Sequence, residues 1–242
     1  KTKGSGSYLD WDMTYGFLAE SGVREELVVD KNSGIEGQPL GLISQEVSYR
    51  AQASASPVSL LTTSSGSSKT LIDSGDILLN GVSLGALSLN GTTNLQSSAS
   101  LMRDWVNSVT STSKVTATAE TRIKSTSEGI NLIDQIRING TLIGDGVVPP
   151  SVDALVGQIN AKASTTKVTA SVGNDGGIEL TNVAGYEGSN ITLSNPNASA
   201  SSNALGLANQ TYTGTVSFDS ADQIRFTFGS TGKAGDLSVL GH

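Results

Sequence analysis

The sequence lacks the side chains on which most enzymatic and metal chemistry depends. None of its 242 residues is a cysteine, and the single histidine is the last residue, His242. Disulfides, thiolate zinc sites and cysteine nucleophiles are therefore excluded. The histidine count also excludes a Ser-His catalytic triad and histidine-based metal chemistry. We expect no enzymatic activity, no cofactor and no metal site.

Basic residues and long apolar runs are scarce as well. The chain has 15 Lys and Arg against 22 Asp and Glu, a net charge of −7, whereas proteins that bind nucleic-acid phosphates concentrate cations. No apolar run approaches the ~20 residues that cross a bilayer, and the first residues lead into no apolar segment typical of a signal peptide. We expect a soluble chain with no nucleic-acid partner and no membrane insertion.

Serine, threonine and glycine are abundant in the sequence instead. The chain has 36 serines, 24 threonines and 28 glycines, and 36% of its residues are apolar. This composition is typical of β-structure that faces water, with long polar turns, and not of a helical bundle. The sequence therefore predicts a β-rich α+β fold.

A sequence repeat organises the middle of the chain. Residues 113–118 (Ser-Lys-Val-Thr-Ala-Thr) recur at 166–171 (Thr-Lys-Val-Thr-Ala-Ser), 53 residues later. Further upstream, Leu-Asn-Gly-Val at 79–82 corresponds to Ile-Asn-Gly-Thr at 138–141, now 59 residues later, so the first copy has six extra residues in a loop. The chain thus contains a duplicated building block.

The duplication suggests a division of the chain into four parts. Residues 1–75 form a β-rich segment of unknown family, and Ser-rich residues at its end precede the repeats. The first repeat takes residues 76–134 and the second repeat residues 135–210. Residues 211–242 complete the chain with a predicted β-hairpin, whose strands at 211–218 and 223–228 are joined by a polar turn.

Both repeats share one pattern of secondary structure. An alternating apolar run ends in Asn-Gly, which predicts a hairpin with a type I′ turn because both central residues need positive φ. A short amphipathic helix follows, capped by Ser98 in the first repeat and by Ser151 in the second. An alternating strand comes next. Each repeat is therefore predicted to be a small antiparallel sheet packed by one short helix. The apolar helix positions are Met102, Trp105, Val106 and Val109, and Val152, Leu155, Val156 and Ile159.

Asparagine and tryptophan side chains on these helices are interpreted as structural. Asn107 and Asn160 lie at the two helix ends, where a short amide tolerates the left-handed conformation that stops a helix. We predict that both are C-terminal caps. Trp105 shares a face with apolar neighbours, which favours burial in the core over stacking on a ligand.

Two weak signals for ion binding are outweighed by simpler interpretations. The spacing Asp30-x-Asn32-x-Gly34 resembles part of a calcium loop, but the glutamate that would complete an EF-hand is missing. Asp10 and Asp12 share a face if extended, yet no third ligand accompanies them. A polar turn and a solvated strand are the favoured interpretations.

The second repeat resembles the flagellin hook IN motif of bacterial flagellar axial proteins. The resemblance rests on a strand ending in Ile-Asn-Gly, a helix ending in Ile-Asn, then Val-Thr-Ala-Ser and, at 178–182, Ile-Glu-Leu-Thr-Asn. The first repeat is similar, although Val106 replaces the motif's isoleucine and the closing hairpin is missing. Residues 204–214 resemble the segment that follows this motif in flagellins and filament-cap proteins. The residues carried over as a structural motif are Asn80, Gly81, Asn107, Asn139, Gly140, Ile159 and Asn160.

The resemblance implies a structural role outside the cell. It implies surface-exposed outer domains of a flagellar filament or hook-filament junction subunit, with neighbouring copies of the parent subunit as partners and O-glycosylation of exposed Ser and Thr. The long heptad-patterned helices of flagellins are missing, so the chain resembles an outer-domain fragment. Two alternatives stay open: a filament cap protein, and an adhesion module that binds host surface glycans. The candidate aromatic platforms for a glycan are Tyr8, Trp11, Tyr15 and Tyr212.

Overall fold

The computed structural model describes residues 60–64, 66–90, 96–197, 199–221, 224–233 and 235–236, together with the backbone of two strands at 26–29 and 49–52. The strands are β1 Glu26–Val29, β2 Tyr49–Gln52, β3 Ser68–Ile72, β4 Ile77–Leu79, β5 Val82–Ser83, β6 Leu87–Asn90, β7 Val115–Glu120, β8 Arg122–Lys124, β9 Arg137–Ile138, β10 Thr141–Leu142, β11 Val168–Val172, β12 Ile178–Asn182, β13 Ile191–Ser194, β14 Thr211–Tyr212, β15 Thr215–Ser220 and β16 Ile224–Phe228. The helices are α1 Ala99–Asn107, α2 Thr110–Ser113, α3 Val152–Ala161 and α4 Ala163–Thr166, and 3₁₀ turns lie at Ser127–Gly129 and Ile143–Gly146.

The predicted fold class is confirmed. The described residues form several small antiparallel sheets with few helices. They divide into two compact units that are each discontinuous in sequence. Unit 1 comprises Lys1–Ser97, Leu101–Thr118 and Thr215–His242, and unit 2 comprises Ser98–Ser100 and Ala119–Gly214.

Unit 2 contains two sheets and one main helix. One sheet has the strand order β10-β9-β13-β14 and the other β11-β12-β8. The hairpin β9–β10 turns at Asn139 and Gly140, whose φ angles of 48° and 80° are those of the predicted type I′ turn. The core of unit 2 comprises Ile123, Ile136, Ile138, Ile143, Leu155, Ile159, Val168, Ala170, Ile178, Leu180, Ile191, Leu193, Ala204 and Leu205.

Helix α3 begins and packs as the sequence predicts. The Ser151 hydroxyl accepts a hydrogen bond from the Ala154 N–H at 3.2 Å, which satisfies one of the amides that a helix start leaves free. Leu155 and Ile159 are buried in the core, whereas Val152 and Val156 are half-buried against it. The predicted apolar stripe is thus confirmed, with Leu155 and Ile159 as its fully buried positions.

Truncation of Leu155 tests this packing. Leu155→Ala should lower the free energy of unfolding by about 2–5 kcal/mol, because the cavity that it leaves in the core cannot fully collapse. Chemical denaturation of the purified chain measures the change. Asp153→Ala, on the exposed side of the same helix, is the control, and equal effects of the two changes would contradict the packing.

Unit 1 contains the hairpin β4–β5, which turns at Asn80 and Gly81 with φ angles of 50° and 79°. Its sheets have the strand orders β1-β16-β4-β5, β2-β15-β7 and β3-β6. Strand β7, at the edge of the second of these sheets, continues past the boundary of unit 1 into unit 2. Trp105 is buried, and its indole Nε1 donates a hydrogen bond to the Gly85 carbonyl at 2.7 Å. The interpretation of Trp105 as a core residue is confirmed.

The predicted C-terminal hairpin is wrong in its pairing. The strand predicted at 211–218 is divided into β14 and β15, and β16 forms where expected. Strand β15 lies between β2 and β7, whereas β16 lies between β1 and β4. The two strands therefore belong to different sheets. The chain passes from one sheet to the other between Ser220 and Ile224.

This pairing supplies what the first repeat lacks. In unit 2, β11 is bonded to β12, and β9 is bonded to β13. In unit 1, β7 neighbours β15 and β4 pairs with β16. Strands β15 and β16 thus take the positions in unit 1 that β12 and β13 take in unit 2. The sequence around the first repeat contains no closing strands. Strands β15 and β16, which follow the second repeat in sequence, supply them.

Candidate functional site

The residues singled out in the repeats form a network of asparagine side chains. Asn139 lies in the β9–β10 turn, where its main-chain N–H donates to the Thr192 carbonyl and its Oδ1 accepts from the Thr192 N–H, both at 2.8 Å. Its Nδ2 donates to the Thr166 carbonyl at 2.7 Å. One side chain thus joins the turn to β13 and to the end of α4. We call this arrangement the turn clamp.

A second asparagine joins the helix to the sheet. The Asn160 Oδ1 accepts a hydrogen bond from the Ala170 N–H at 2.8 Å, and its Nδ2 donates to the Ala170 carbonyl at 3.0 Å. Strand β11 is at the edge of its sheet, and the carboxamide offers it one donor and one acceptor, as a neighbouring peptide group would. We call this arrangement the helix clamp. The preceding residue, Ile159, is fully buried in the core.

The helix clamp corrects the prediction that Asn107 and Asn160 are left-handed caps. Neither residue has a positive φ, and the left-handed conformation falls on Lys114 and Lys167, each with φ 60°. These lysines follow the short helices α2 and α4. The amides of Asn107 and Asn160 bond to a strand instead of ending the helix.

Both clamps recur in unit 1 with corresponding partners. The Asn80 N–H and Oδ1 bond to the Arg225 carbonyl and N–H at 2.8 and 2.9 Å, and its Nδ2 donates to the Ser113 carbonyl at 3.1 Å. The Asn107 Oδ1 and Nδ2 bond to the Ala117 N–H and carbonyl at 2.7 and 2.9 Å. The same hydrogen bonds therefore hold both repeats.

Sequence reasoning missed the residues that close the loop between helix and strand. The hydroxyls of Ser113 and Thr166 accept from the N–H two residues later, at 3.3 and 3.2 Å. The ammonium groups of Lys114 and Lys167 donate to carbonyls three residues earlier. The signal was present in the sequence, because this Ser/Thr-Lys pair is part of the repeated hexapeptide.

A charged cluster lies on the β8–β12 face of unit 2. Glu179 forms ion pairs with both Arg122 and Lys124, the latter at 3.1 Å. An open cavity of about 270 Å³ adjoins it, lined by Lys124, Ser125, Asn174, Asp175 and Glu179 among others. Asp175 is also engaged, since its Oδ1 accepts from the Gly177 N–H at 3.1 Å. Both carboxylates at this cavity therefore act in local structure.

The other candidate residues fall into two groups. Asp10, Asp12 and the Asp30-x-Asn32-x-Gly34 spacing, like the aromatic residues Tyr8, Trp11 and Tyr15, lie outside the described residues. Tyr212 is described, and it packs half-buried against the core of unit 2 with its hydroxyl donating to the Ala208 carbonyl. Tyr212 is therefore no open platform for a sugar ring.

Neither a metal-binding cluster nor a membrane-spanning helix occurs among the residues that the structure describes. In that part of the chain, no group of three or more acidic or histidine side chains could hold a metal ion. Among the helices described there, none is long and apolar enough to span a membrane.

Comparison with known proteins identifies the second repeat. Residues 137–184 match the family model of the flagellin hook IN motif. No curated protein matches the sequence. The matched segment contains Asn139, Gly140, Ile159 and Asn160, so both asparagines of the unit 2 clamps fall within it, whereas Thr192, the partner of Asn139 on β13, lies beyond it. The resemblance of the second repeat to flagellin and hook-associated proteins is thereby confirmed, and a second motif in the first repeat stays a prediction.

Proposed function

We propose that this chain, which carries a flagellin hook IN motif, is a surface-exposed outer region of a subunit of the bacterial flagellar filament or hook-filament junction. The motif match supports a structural protein of the flagellum, and it is the observation that carries the proposal. The clamps described above serve to hold a compact domain together, as a structural role requires. Neighbouring copies of the parent subunit are the partners.

The chain path through unit 2 supports an outer position. Its main segment begins at Ala119 and ends at Gly214, and a Cβ added to Gly214 would collide with the Glu120 carbonyl oxygen. The two ends of this segment are therefore in contact, as in domains inserted into loops of a parent fold. Such an insertion can decorate a fibre without interrupting the elements that build it.

We further propose that both repeats are IN-type domains, the second inserted into the first. The shared hydrogen bonds of Asn80 with Asn139, and of Asn107 with Asn160, support this relation. The position of β15 and β16 supports it as well, since they follow the second repeat in sequence and complete the sheets of the first. The seven carried-over motif residues would then all serve the same structural purpose.

Deletion in the parent gene tests the function. Removing residues 70–240 in frame should leave secretion and fibre assembly in place while motility falls, because outer domains decorate a core that they do not build. Electron microscopy of sheared fibres and swimming assays measure the two outcomes. Loss of all secretion and assembly would contradict the proposal and favour a filament cap. Normal fibres and motility with lost adherence to host cells would favour an adhesion module.

A milder variant controls for misfolding of the shortened subunit. Residues 121–214 are replaced by the turn of residues 173–177, which already joins β11 to β12 in unit 2. This change removes the matched motif but retains the strands of unit 1. Assembly at the level of the unmodified subunit is expected.

A further inference from the structure

Two side chains of unit 2 bury polar atoms that form no hydrogen bond with the described part of the chain. Thr121 is only 2% exposed, and its Oγ1 has no partner there. Both polar atoms of the Asn182 carboxamide, Oδ1 and Nδ2, are shielded from solvent in the same way and are also without a partner. Burying such groups without hydrogen bonds costs free energy, so nearly all buried polar groups in proteins bond to protein or to water.

The strand register brings these two side chains together. Strands β8 and β12 are antiparallel, and Ile123 is paired with Leu180 in the core of unit 2. Thr121 and Asn182 lie two positions beyond that pair, one on each chain segment, and so take the same face as the buried pair. Residues opposite each other in an antiparallel pair have Cβ atoms about 4.5–5.5 Å apart. The hydroxyl and the carboxamide therefore lie side by side, facing the core.

The surroundings of this pair offer no replacement for a missing partner. On its other side Asn182 is paired with Val168 of β11, whose side chain is apolar and fully buried. Gly214 lies against the hydroxyl, since a Cβ added to this glycine would be 2.4 Å from Thr121 Oγ1. Thr121 and Asn182 do not bond to each other either, because none of their three polar atoms has a partner in the residues that the structure describes.

We propose that Thr121 and Asn182 form an internal water-binding site of unit 2. Water both donates and accepts, so one molecule can accept from Asn182 Nδ2 while it donates to Thr121 Oγ1, and Asn182 Oδ1 is a further acceptor. Buried waters typically make about three hydrogen bonds to polar groups that have no other partner. A metal ion suits the site less well, because two neutral oxygens supply neither the number nor the charge of ligands that hard cations require.

The position of the site gives the water a structural purpose. Thr121 lies two residues after Ala119, where the main segment of unit 2 begins. Asn182 belongs to residues 137–184, which match the IN motif. A water bound to both side chains joins the chain entering unit 2 to strand β12 of the motif. This inference goes beyond the proposed function and does not rest on it.

Thr121→Val tests the site through the sign of its effect on stability. Valine has a shape similar to that of threonine but no hydroxyl, so the change takes one partner from the bound water. The unfolding temperature of the full chain should then fall by about 2–4 °C. If the hydroxyl has no partner at all, its removal should raise the unfolding temperature instead, and that result would overturn the proposal. Thr118→Val, at an exposed position of β7, is the control and should have little effect.

A double variant tests whether the two side chains share the water. Asn182→Leu alone leaves the Thr121 hydroxyl without its bridge and should also lower the unfolding temperature. Thr121→Val combined with Asn182→Leu removes every polar atom of the site, so the loss should be smaller than the sum of the two single losses. Strictly additive losses would show that the side chains do not act through a common water, which would contradict the proposal.

Magnetic relaxation dispersion of the water oxygen-17 nucleus detects the bound water itself, because it counts water molecules that stay inside a protein for long times. The double variant should hold at least one long-lived water fewer than the unmodified chain, whereas Thr118→Val should hold the same number. Equal counts for the double variant and the unmodified chain would overturn the proposal. That outcome includes the case in which the hydroxyl of Thr121 and the carboxamide of Asn182 turn to bond each other directly.

Discussion

Replacing Asn160 by alanine is expected to lower the free energy of unfolding by about 1–2 kcal/mol, because both main-chain polar groups of the buried Ala170 lose their side-chain partner. The amide of Ala170 should also lose much of its protection from hydrogen exchange. Chemical denaturation measures the first effect, and exchange followed by mass spectrometry measures the second. Exchange distinguishes a broken clamp from general destabilisation, since Ala170 should respond more than the rest of β11.

Two further variants bracket this expectation. Asn174→Ala removes the same side chain from the exposed β11–β12 turn and should change stability by less than about 0.5 kcal/mol. Asn107→Ala should reproduce the effect of Asn160→Ala at Ala117 in unit 1. If Asn107→Ala were harmless while Asn160→Ala was costly, the equivalence of the two helix clamps would be refuted.

Replacing Gly206 by alanine should be at least as damaging, with a loss of about 3 kcal/mol or more. Gly206 has a φ of 69°, and a Cβ there would collide with the backbone of Gly129. Two backbones thus approach each other where no side chain fits. Relief would require the loop at 203–207 to move, although Asn203 in that loop is fully buried and bonded to Leu205 and Leu207.

Gly157→Ala is the matched control, and its expected effect on stability is opposite in sign to that of Gly206→Ala. Gly157 lies within α3 with open space around it, so Gly157→Ala should raise stability by about 0.5–1 kcal/mol through the better helix propensity of alanine. Thermal unfolding of both variants, followed by circular dichroism, measures the difference. If the Gly206→Ala chain unfolds at the same temperature as the unmodified chain, the 203–207 loop can move at little cost in free energy, and the prediction is wrong.

The elements predicted correctly are those whose signals are local. The Asn-Gly turns fix φ at two adjacent residues, and the cap at Ser151 with the spacing of Leu155 and Ile159 defines a helix within three turns. These features need only a few neighbouring residues. They also carried the resemblance to the IN motif, which is a pattern of local signals.

Prediction failed where the determining partner is distant in sequence. The strands β15 and β16 look like a hairpin because alternating residues flank a polar turn, and nothing nearby shows that β4 and β7 compete for them. Asn160 failed for a related reason. Its position at a helix end suggests a cap, but its amide gains more from the unpaired groups of Ala170, ten residues away, than from a left-handed turn.

The turn clamp has a consequence for chemical ageing. In an Asn-Gly sequence the glycine nitrogen can attack the asparagine side-chain carbonyl, forming a succinimide and releasing ammonia. In unit 2 the Asn139 carboxamide is held at both ends, by the Thr192 N–H and the Thr166 carbonyl, so its carbon cannot swing toward the Gly140 nitrogen. Asn80 is held in the same way. Deamidation of these turns should therefore proceed through transient unfolding, so the lifetime of the two Asn-Gly turns is set by the stability of the fold.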